Sequence, residues 1–223
     1  MLRTVGRITV ILTIFSVVLA GCTFGSKPGE EMYDHLEKAA GIEQGFVDYQ
    51  KKLIEKEKKE QELYGKIIKL NMKQYDQIVS LSKQATDLAS QRKQLIQQEK
   101  EVLDKAYKEF VEVKPLAEKI EDEKLAKKAN ILIEAMTKRH EIYGKLYQGY
   151  ISSIQLDQQL YQMLQKKDLK PGELQKQIDK INKKYEEVNQ AKEKFNQYTE
   201  QYNEAKKVFY KAAGLDVKIK NQG

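Results

Sequence analysis

The sequence predicts an all-α fold: an elongated antiparallel helical bundle or coiled coil of three to four long helices. Three observations support this prediction. Lys, Glu and Gln dominate a chain of 223 residues of which 33% are charged, a composition typical of long helices. Apolar residues recur every three or four positions along most of the chain. Three prolines and twelve glycines are fewer than a β-sandwich rich in tight turns requires.

The first 21 residues are expected to be a lipoprotein signal peptide. Arg3 and Arg7 supply a basic start, and a nearly continuous apolar run follows over 8–20. The run is too short for a comfortable membrane span and has the order of charged and apolar regions that signal peptides share. It ends in the sequence LAGC at Leu19–Cys22, where small residues leave the backbone accessible to a peptidase.

Cys22 is the predicted lipid attachment site, with cleavage between Gly21 and Cys22. It is the single cysteine of the chain, so it has no partner for an intramolecular disulfide. Two acyl chains, at roughly 0.8 kcal/mol per buried CH₂, would hold the protein firmly on a bilayer. The alternatives are a buried structural thiol and a plain secretory signal cut elsewhere. Cleavage lowers the formal net charge from +7 to +5, since it removes two arginines and no acids.

Residues 22–29 are expected to form the lipidated N-terminus and a flexible tether, because 23–29 contain Gly, Ser and Pro without periodicity. The helical domain is predicted over 30–215, with a C-terminal tail over 216–223. Its first helix is expected to end in a break within 71–77. The alternative is one very long helix from Glu30 to Val113 beside a helical hairpin.

Two further helices are predicted after Val113. One runs from near Pro115 to Lys167 and carries two adjacent apolar series, so it is expected to pack against two neighbours. Gly144 and Gly149 on that helix are expected to mark close helix contacts. The last helix begins near Pro171, keeps a heptad spacing of apolar residues, and ends at Gly214 as a C-cap.

No sequence pattern of a catalytic or metal site is present, so we expect neither an enzyme nor a cofactor other than the covalent lipid. His35 and His140 are the two histidines, and neither belongs to a metal-binding motif. We expect His140 to be a hydrogen-bonded histidine in the core or at its boundary. The chain also lacks a glycine-rich phosphate loop, a GxSxG motif and a CxxC motif.

Thirteen tyrosines and no tryptophan are the unusual feature of the composition. The favoured interpretation places the rings in the core, with hydroxyls reaching its edge. The alternative is a ligand-facing groove in which Tyr143, Tyr147 and Tyr150 stack on sugar rings.

The positive net charge favours anionic partners outside the cytoplasm, such as lipid headgroups, teichoic-type polymers or acidic polysaccharide. Nucleic acid is not an expected partner, because arginine is rare and the protein is predicted to be exported.

The chain resembles the YkyA-type cell-wall-binding lipoproteins of Bacillus and relatives. The resemblance rests on the lipobox at Leu19–Cys22, the short tether, and a Lys/Glu/Gln/Tyr-rich helical body with KPG at 170–172 before the last helix. It extends over the whole chain, although the lipobox is common to all lipoproteins. It implies a lipid-anchored protein on the outer face of a Gram-positive cytoplasmic membrane with a wall-binding role, and it supplies no binding residues.

The predicted function is therefore that of a membrane-anchored lipoprotein whose helical rod binds or spaces a cell-wall polymer, either peptidoglycan or a teichoic-type polymer. The alternative is a helical module that docks a protein partner of the envelope or self-associates.

Overall fold

The computed structural model describes residues 17–19, 27–215 and 217–219. Its helices are α1 (Lys27–Ile67), α2 (Tyr75–Val111), α3 (Val113–Ala117), α4 (Glu123–Met163) and α5 (Pro171–Ala212), with a 3-10 turn at Met72–Gln74. Two short strands, β1 (Val17–Leu19) and β2 (Val217–Ile219), pair antiparallel with Val18 opposite Lys218. The four long helices confirm the predicted all-α bundle. Within 27–215, no helix is both long enough and apolar enough to cross a membrane.

A break between the first two long helices is confirmed, although it begins after Ile67 rather than within the predicted 71–77. α1 ends at Ile67, and Asn71 then caps the 3-10 turn. Its Oδ1 accepts a hydrogen bond from Lys73 N at 3.0 Å, while the Gln74 side chain accepts one from Asn71 N at 3.4 Å. These reciprocal bonds form a capping box, which fixes where the next helix begins. The alternative of one helix running through to Val113 is therefore wrong.

The helical region starts earlier than the sequence predicted. Lys27–Gly29, assigned to the tether, form the first turn of α1. Proline is tolerated there, because the N–H that it lacks has no intrahelical partner in a first turn. Cys22, the cleavage position beside it and the rest of the tether lie outside the described residues, and so does the signal peptide apart from β1. Those assignments stay predictions.

Pro115 does not begin the third long helix, contrary to the prediction. It lies within α3, again in the first turn of a helix, and α4 begins only at Glu123. Asp122 marks that start, since its Oδ1 accepts a hydrogen bond from Leu125 N at 2.7 Å. At its other end α4 stops at Met163, short of the predicted Lys167.

The last helix has the predicted ends. α5 begins at Pro171, and Gly214 follows it with a φ of 72°. Leu215 N donates to Tyr210 O at 3.1 Å, and Gly214 N donates to Lys211 O at 3.3 Å. This pair of bonds is a Schellman motif, which needs a left-handed residue that glycine adopts without a Cβ clash.

The described bundle divides into two compact units. Unit 1 comprises Asp48–Glu99 and Lys145–Lys192, and unit 2 comprises Lys100–Gly144 with the described parts of Val10–Val47 and Glu193–Gly223. Each unit therefore takes a stretch from all four long helices.

Each unit has its own buried apolar core. The unit 2 core is built from residues that include Met32, Leu36, Phe110, Leu132 and Phe209. A core cluster of unit 1 contains Leu160, Ile178, Ile181 and Tyr185.

Neighbouring helices run antiparallel within each unit. In unit 1, α1 and α2 meet at the pairs Gln50–Glu99 and Glu60–Arg92, so the residue numbers rise on one helix and fall on the other. In unit 2, α1 and α5 meet in the same way at Tyr33–Tyr210 and Phe46–Phe195. The predicted antiparallel packing of neighbouring helices is confirmed within both units.

Candidate anion-binding surface

Charge is distributed unevenly between the two units. Unit 1 holds twenty lysines and arginines and fourteen acidic residues over 48–99 and 145–192, a formal charge of +6. Unit 2 holds sixteen basic and eighteen acidic residues over 27–47, 100–144 and 193–215, a formal charge of −2. The positive excess of the described helices therefore belongs to unit 1.

Neighbouring carboxylates neutralise many lysines of unit 2. Five of its ion pairs join a lysine to an acid: Lys38–Glu109, Lys100–Asp104, Lys138–Glu134, Lys206–Glu37 and Lys207–Glu204. In unit 1, Lys184 pairs with Glu187 at 2.5 Å. Unit 1 has more lysines and fewer carboxylates than unit 2. Its surface should therefore attract a polyanion more strongly.

The two helix connections of unit 1 concentrate this charge. We define the connection surface by eight exposed residues: Lys66, Ile68, Lys69, Met72 and Lys73 around the α1–α2 connection, and Lys166, Lys167 and Lys170 around the α4–α5 connection. Among the described residues, no carboxylate lies within ion-pair distance of any of these six lysines. Asp76 and Asp168 are the acids within the same two stretches, 66–76 and 164–170.

Tyr75 holds the two connections together. Its hydroxyl donates a hydrogen bond to Gln165 O at 2.6 Å. The Lys167 ammonium lies 5.0 Å from the centre of the Tyr75 ring, within range of a cation–π interaction. Lysines that are far apart in the chain are therefore brought to one surface.

A buried polar cluster surrounds Arg92 beneath the unit 1 surface. Arg92 Nη1 donates to Glu60 Oε2 at 2.7 Å and to Asp157 Oδ2 at 3.2 Å. Its Nη2 donates to the Tyr185 hydroxyl at 2.8 Å, and its Nε donates to the Tyr150 hydroxyl at 3.2 Å. Side chains of the three other long helices thus converge on one guanidinium of α2.

The acids of this cluster outnumber its single arginine. Tyr185 donates a hydrogen bond to Asp157, and Tyr150 donates one to Glu57, which also lies 3.6 Å from Arg92 Nη2. Burial raises the pKa of Asp157 to about 7, although the Arg92 charge acts in the opposite direction. Burial also disfavours the charged guanidinium, but nearby Glu60 keeps the pKa of Arg92 well above its ordinary value.

A second arginine occupies the interior of unit 2. Arg139 forms two hydrogen bonds with the Glu43 carboxylate, and its Nε donates to Thr199 Oγ1 at 3.0 Å. Its guanidinium carbon lies 5.0 Å from the centre of the Phe195 ring and 5.8 Å from that of Tyr202. Each unit therefore has one arginine cluster that joins its helices, and neither cluster is open to a macromolecule.

Unit 2 also has an open groove of about 480 Å³ between α4 and α5. Ile131 and Val208 line it and are 51% and 39% exposed. Its charged lining residues are two lysines and two glutamates: Lys128, Lys138, Glu134 and Glu204. The groove therefore carries no net charge, in contrast to the connection surface.

Comparison with known proteins identifies the family. The model of the YkyA family, described as "Putative cell-wall binding lipoprotein", matches residues 27–212, which include all four long helices. The chain belongs to the YkyA family. It is 38% identical over 203 residues to a protein of Bacillus subtilis (strain 168) named "Uncharacterized lipoprotein YkyA", with 91% of each chain covered.

A solved structure shares the fold. A conserved protein of unknown function from Staphylococcus aureus superposes with a TM-score of 0.74 and covers 85% of this chain and 98% of its own. The two sequences are 15% identical, so this likeness concerns the fold alone. The description of the YkyA family names a lipoprotein, which agrees with the lipoprotein class that the sequence predicted.

The tyrosines that a sugar-binding groove would require in this YkyA-family chain are mostly buried. Tyr143 is 1% exposed and packs against Phe46 and Phe195, with ring centres 6.4 and 5.4 Å away. Tyr150 is 2% exposed and belongs to the Arg92 cluster. Tyr147 is half-buried. A ligand-facing groove is therefore wrong for Tyr143 and Tyr150, and the core interpretation holds for them.

The histidines have structural environments. His140 stacks on Tyr107 with 3.8 Å between ring centres and lies at the core boundary, as predicted. Its Nε2 is 3.8 Å from Asp104 Oδ1, too far for that residue to supply the predicted hydrogen bond. Burial lowers its pKa, with Asp104 acting in the opposite direction. His35 Nδ1 lies 2.7 Å from Glu109 Oε1. Within the described part of the chain, no group of three or more His, Cys, Asp or Glu side chains could hold a metal ion.

Sequence reasoning missed both arginine clusters, although composition carried a signal for them. The four arginines are Arg3, Arg7, Arg92 and Arg139, and the first two lie in the predicted signal peptide. A helical body that uses lysine almost throughout retains arginine at two positions, and both are buried. Arginine suits such positions because its planar fork can satisfy several acceptors at once.

Proposed function

We propose that this YkyA-family protein is a lipoprotein, anchored through Cys22 on the outer face of the cytoplasmic membrane, that binds an anionic cell-wall polymer. The lysine-rich surface of unit 1 is the proposed binding region. The polymer is of the teichoic type, with many negative charges along a flexible chain. No catalytic role is part of this proposal.

The difference in charge between the units is the observation that carries the proposal. A formal charge of +6 on unit 1 attracts a polyanion, whereas the −2 of unit 2 repels one. Exposed lysines on the helix faces of unit 1, such as Lys51, Lys58, Lys180 and Lys183, add to those of the connection surface. A flexible polymer binds more tightly when it contacts several such charges at once. Salt weakens this binding because it screens the attraction.

Peptidoglycan without its anionic polymer is the less favoured ligand. Recognition of neutral sugar faces favours exposed aromatic rings. Of the three tyrosines of the predicted groove, Tyr143 and Tyr150 are buried and Tyr147 is half-buried. The buried arginines are unsuitable as well, because both guanidinium groups are already occupied by protein acceptors.

Sedimentation with purified sacculi tests the proposal. The lipid-free chain 26–223 includes every helix of the structure, so it is the test protein, and circular dichroism checks its helicity. It is mixed with sacculi that retain or lack their anionic polymers, at low and at high salt. We expect pelleting with the anionic polymer only, and we expect it to be reversed by salt. Salt-resistant pelleting with bare peptidoglycan, or no pelleting at all, would overturn the proposal.

Two matched variants locate the binding surface. The first replaces Lys51, Lys58, Lys180 and Lys183 of unit 1 by Gln, and we expect it to weaken pelleting by about tenfold. The control replaces four exposed lysines of unit 2 in the same way: Lys105, Lys108, Lys124 and Lys127. Both variants lose four positive charges, so an equal loss of pelleting in the two would contradict a role specific to unit 1.

A further inference from the structure

We propose that the connection surface of unit 1 docks on an anionic phospholipid bilayer. This contact would be separate from the predicted lipid anchor at Cys22. Its lysines belong to the positive surface on which wall-polymer binding is proposed, but docking on a bilayer does not require that the polymer binds. Its components are the two exposed apolar side chains and the six lysines that define the surface.

The apolar component consists of Ile68 and Met72. Their side chains are 60% and 59% exposed, the highest values among the exposed large apolar residues of the described chain. The α1–α2 connection places Lys66 and Lys69 around Ile68, and Lys73 directly after Met72. Apolar side chains flanked by lysines match the bilayer interface, where the former enter the acyl boundary and the latter remain at the phosphates.

The second connection adds three lysines to the same surface. Lys166, Lys167 and Lys170 are exposed and lie beside the first connection, because Tyr75 bonds to Gln165 across the gap. The six lysines outnumber the two nearby acids, Asp76 and Asp168, so the surface has a strong positive excess. Such clusters attract the phosphate groups of anionic lipids within about one Debye length of the surface.

A bilayer accounts for both components, and the other partners do not. A phosphate-bearing wall polymer would meet the lysines but offers no apolar phase for Ile68 and Met72. A stable protein interface buries about 800 Å² on each partner, far more than two side chains provide, and its core is depleted of charge. The neutral groove of unit 2, although it also exposes Ile131 and Val208, lacks the lysine excess that would direct it to anionic lipid.

Vesicle co-sedimentation tests the inference with the lipid-free chain 26–223. Vesicles of phosphatidylcholine alone are compared with vesicles that also contain phosphatidylglycerol. We expect binding to the anionic vesicles only, with a decrease at high salt. Binding to both vesicle types alike, or to neither, would overturn the inference.

Three variants separate the contributions. Replacing Lys66, Lys69 and Lys73 by Gln should weaken binding by about a hundredfold, since each lysine near an anionic surface changes partition by about fivefold. Ile68→Ser with Met72→Ser should also weaken vesicle binding and leave sacculus binding unchanged. Ile131→Ser with Val208→Ser removes the same kind of apolar exposure from unit 2 and should leave vesicle binding intact.

The same variants distinguish failure of this inference from failure of the proposed function. If I68S/M72S binds anionic vesicles as well as the parent chain does, the docking inference fails, whatever happens with sacculi. If the parent chain binds vesicles but no sacculi, the wall-polymer proposal fails and the docking inference stands. Equal losses in I68S/M72S and I131S/V208S would contradict the assignment of docking to the connection surface.

Discussion

Arg139 and Glu43 form a two-point ion pair inside unit 2. The two terminal nitrogens of Arg139 lie 2.7 and 2.9 Å from the two carboxylate oxygens of Glu43. Only 3% of the arginine side chain and 10% of the glutamate side chain are exposed. Because both bonds need the planar fork of a guanidinium, this pair fixes one register between α1 and α4.

Breaking this pair from one side should be more costly than removing it. Arg139→Met leaves the Glu43 carboxylate buried without its partner, and we expect the free energy of unfolding to fall by about 3–5 kcal/mol. Adding Glu43→Leu should restore a large part of the loss, since an apolar pair leaves no buried charge. Urea unfolding of chain 26–223 measures both, and exposed Lys194→Met serves as the control. A double variant no more stable than Arg139→Met would show that the buried carboxylate is not the cause.

Asp157 should make stability depend on pH. Its pKa is raised by burial to about 7 in the folded chain, whereas an unfolded aspartate titrates near 3.9. The folded chain therefore binds the extra proton between about pH 4 and pH 7, and the free energy of unfolding falls as pH rises through this range. Asp157→Asn keeps an oxygen that accepts from Tyr185 and Arg92 but does not titrate.

The stability of Asp157→Asn relative to that of the parent chain should therefore increase as pH rises. Between pH 5 and pH 8, the free energy of unfolding of Asp157→Asn relative to the parent should increase by on the order of 2 kcal/mol. Urea unfolding at the two pH values measures the change, with exposed Asp168→Asn as the control. A constant difference across pH would mean that Asp157 is not protonated in the folded chain.

Gly144 and Gly149 should respond differently to alanine. A Cβ at Gly144 would meet no atom within 4 Å, so Gly144→Ala should stabilise α4 by up to about 1 kcal/mol through helix propensity. A Cβ at Gly149 would lie 3.2 Å from Val188 Cγ2, and Val188 would have to move. We expect Gly149→Ala to raise the midpoint temperature of thermal unfolding less than Gly144→Ala does. Equal increases would show that Val188 can move without a cost in stability.

Cys22→Ala should release or mis-sort the protein without unfolding the bundle. The thiol is the predicted site of both acyl chains, and the described helices begin five residues later. Fractionation of cells that express the variant measures its membrane association, and circular dichroism of the purified protein measures its helicity. A variant that remains in the membrane fraction like the parent protein would contradict lipid attachment at Cys22.

Helix ends were predicted correctly where a few adjacent capping residues determine them. The heptad spacing, Pro171 and Gly214 gave both ends of α5, because capping depends on a few adjacent residues. The same rules misplaced the start of α4, since Pro115 fits the first turn of the short α3 as readily as that of a long helix. Gly149 was correctly assigned to a close helix contact, and Gly144 was not.

The interior polar clusters and the charge asymmetry depend on contacts that the sequence does not display. Glu43 and Arg139 are separated by 96 positions, and Glu60 and Arg92 by 32. Each unit combines stretches from both halves of the chain, so the charge of unit 1 emerges only after its stretches are brought together. Lysine and glutamate alternate along those stretches, which hides the excess in a linear reading.

Both arginines of the described helices are buried, which makes these helices resistant to an arginine-specific protease. Arg92 and Arg139 are 2% and 3% exposed, so cleavage after either one requires local opening of the surrounding helices. Cutting after Arg92 would report the opening of unit 1, and cutting after Arg139 would report that of unit 2. With fast reclosing, the ratio of the two cleavage rates gives the relative stability of the units in one digestion of the unmodified protein.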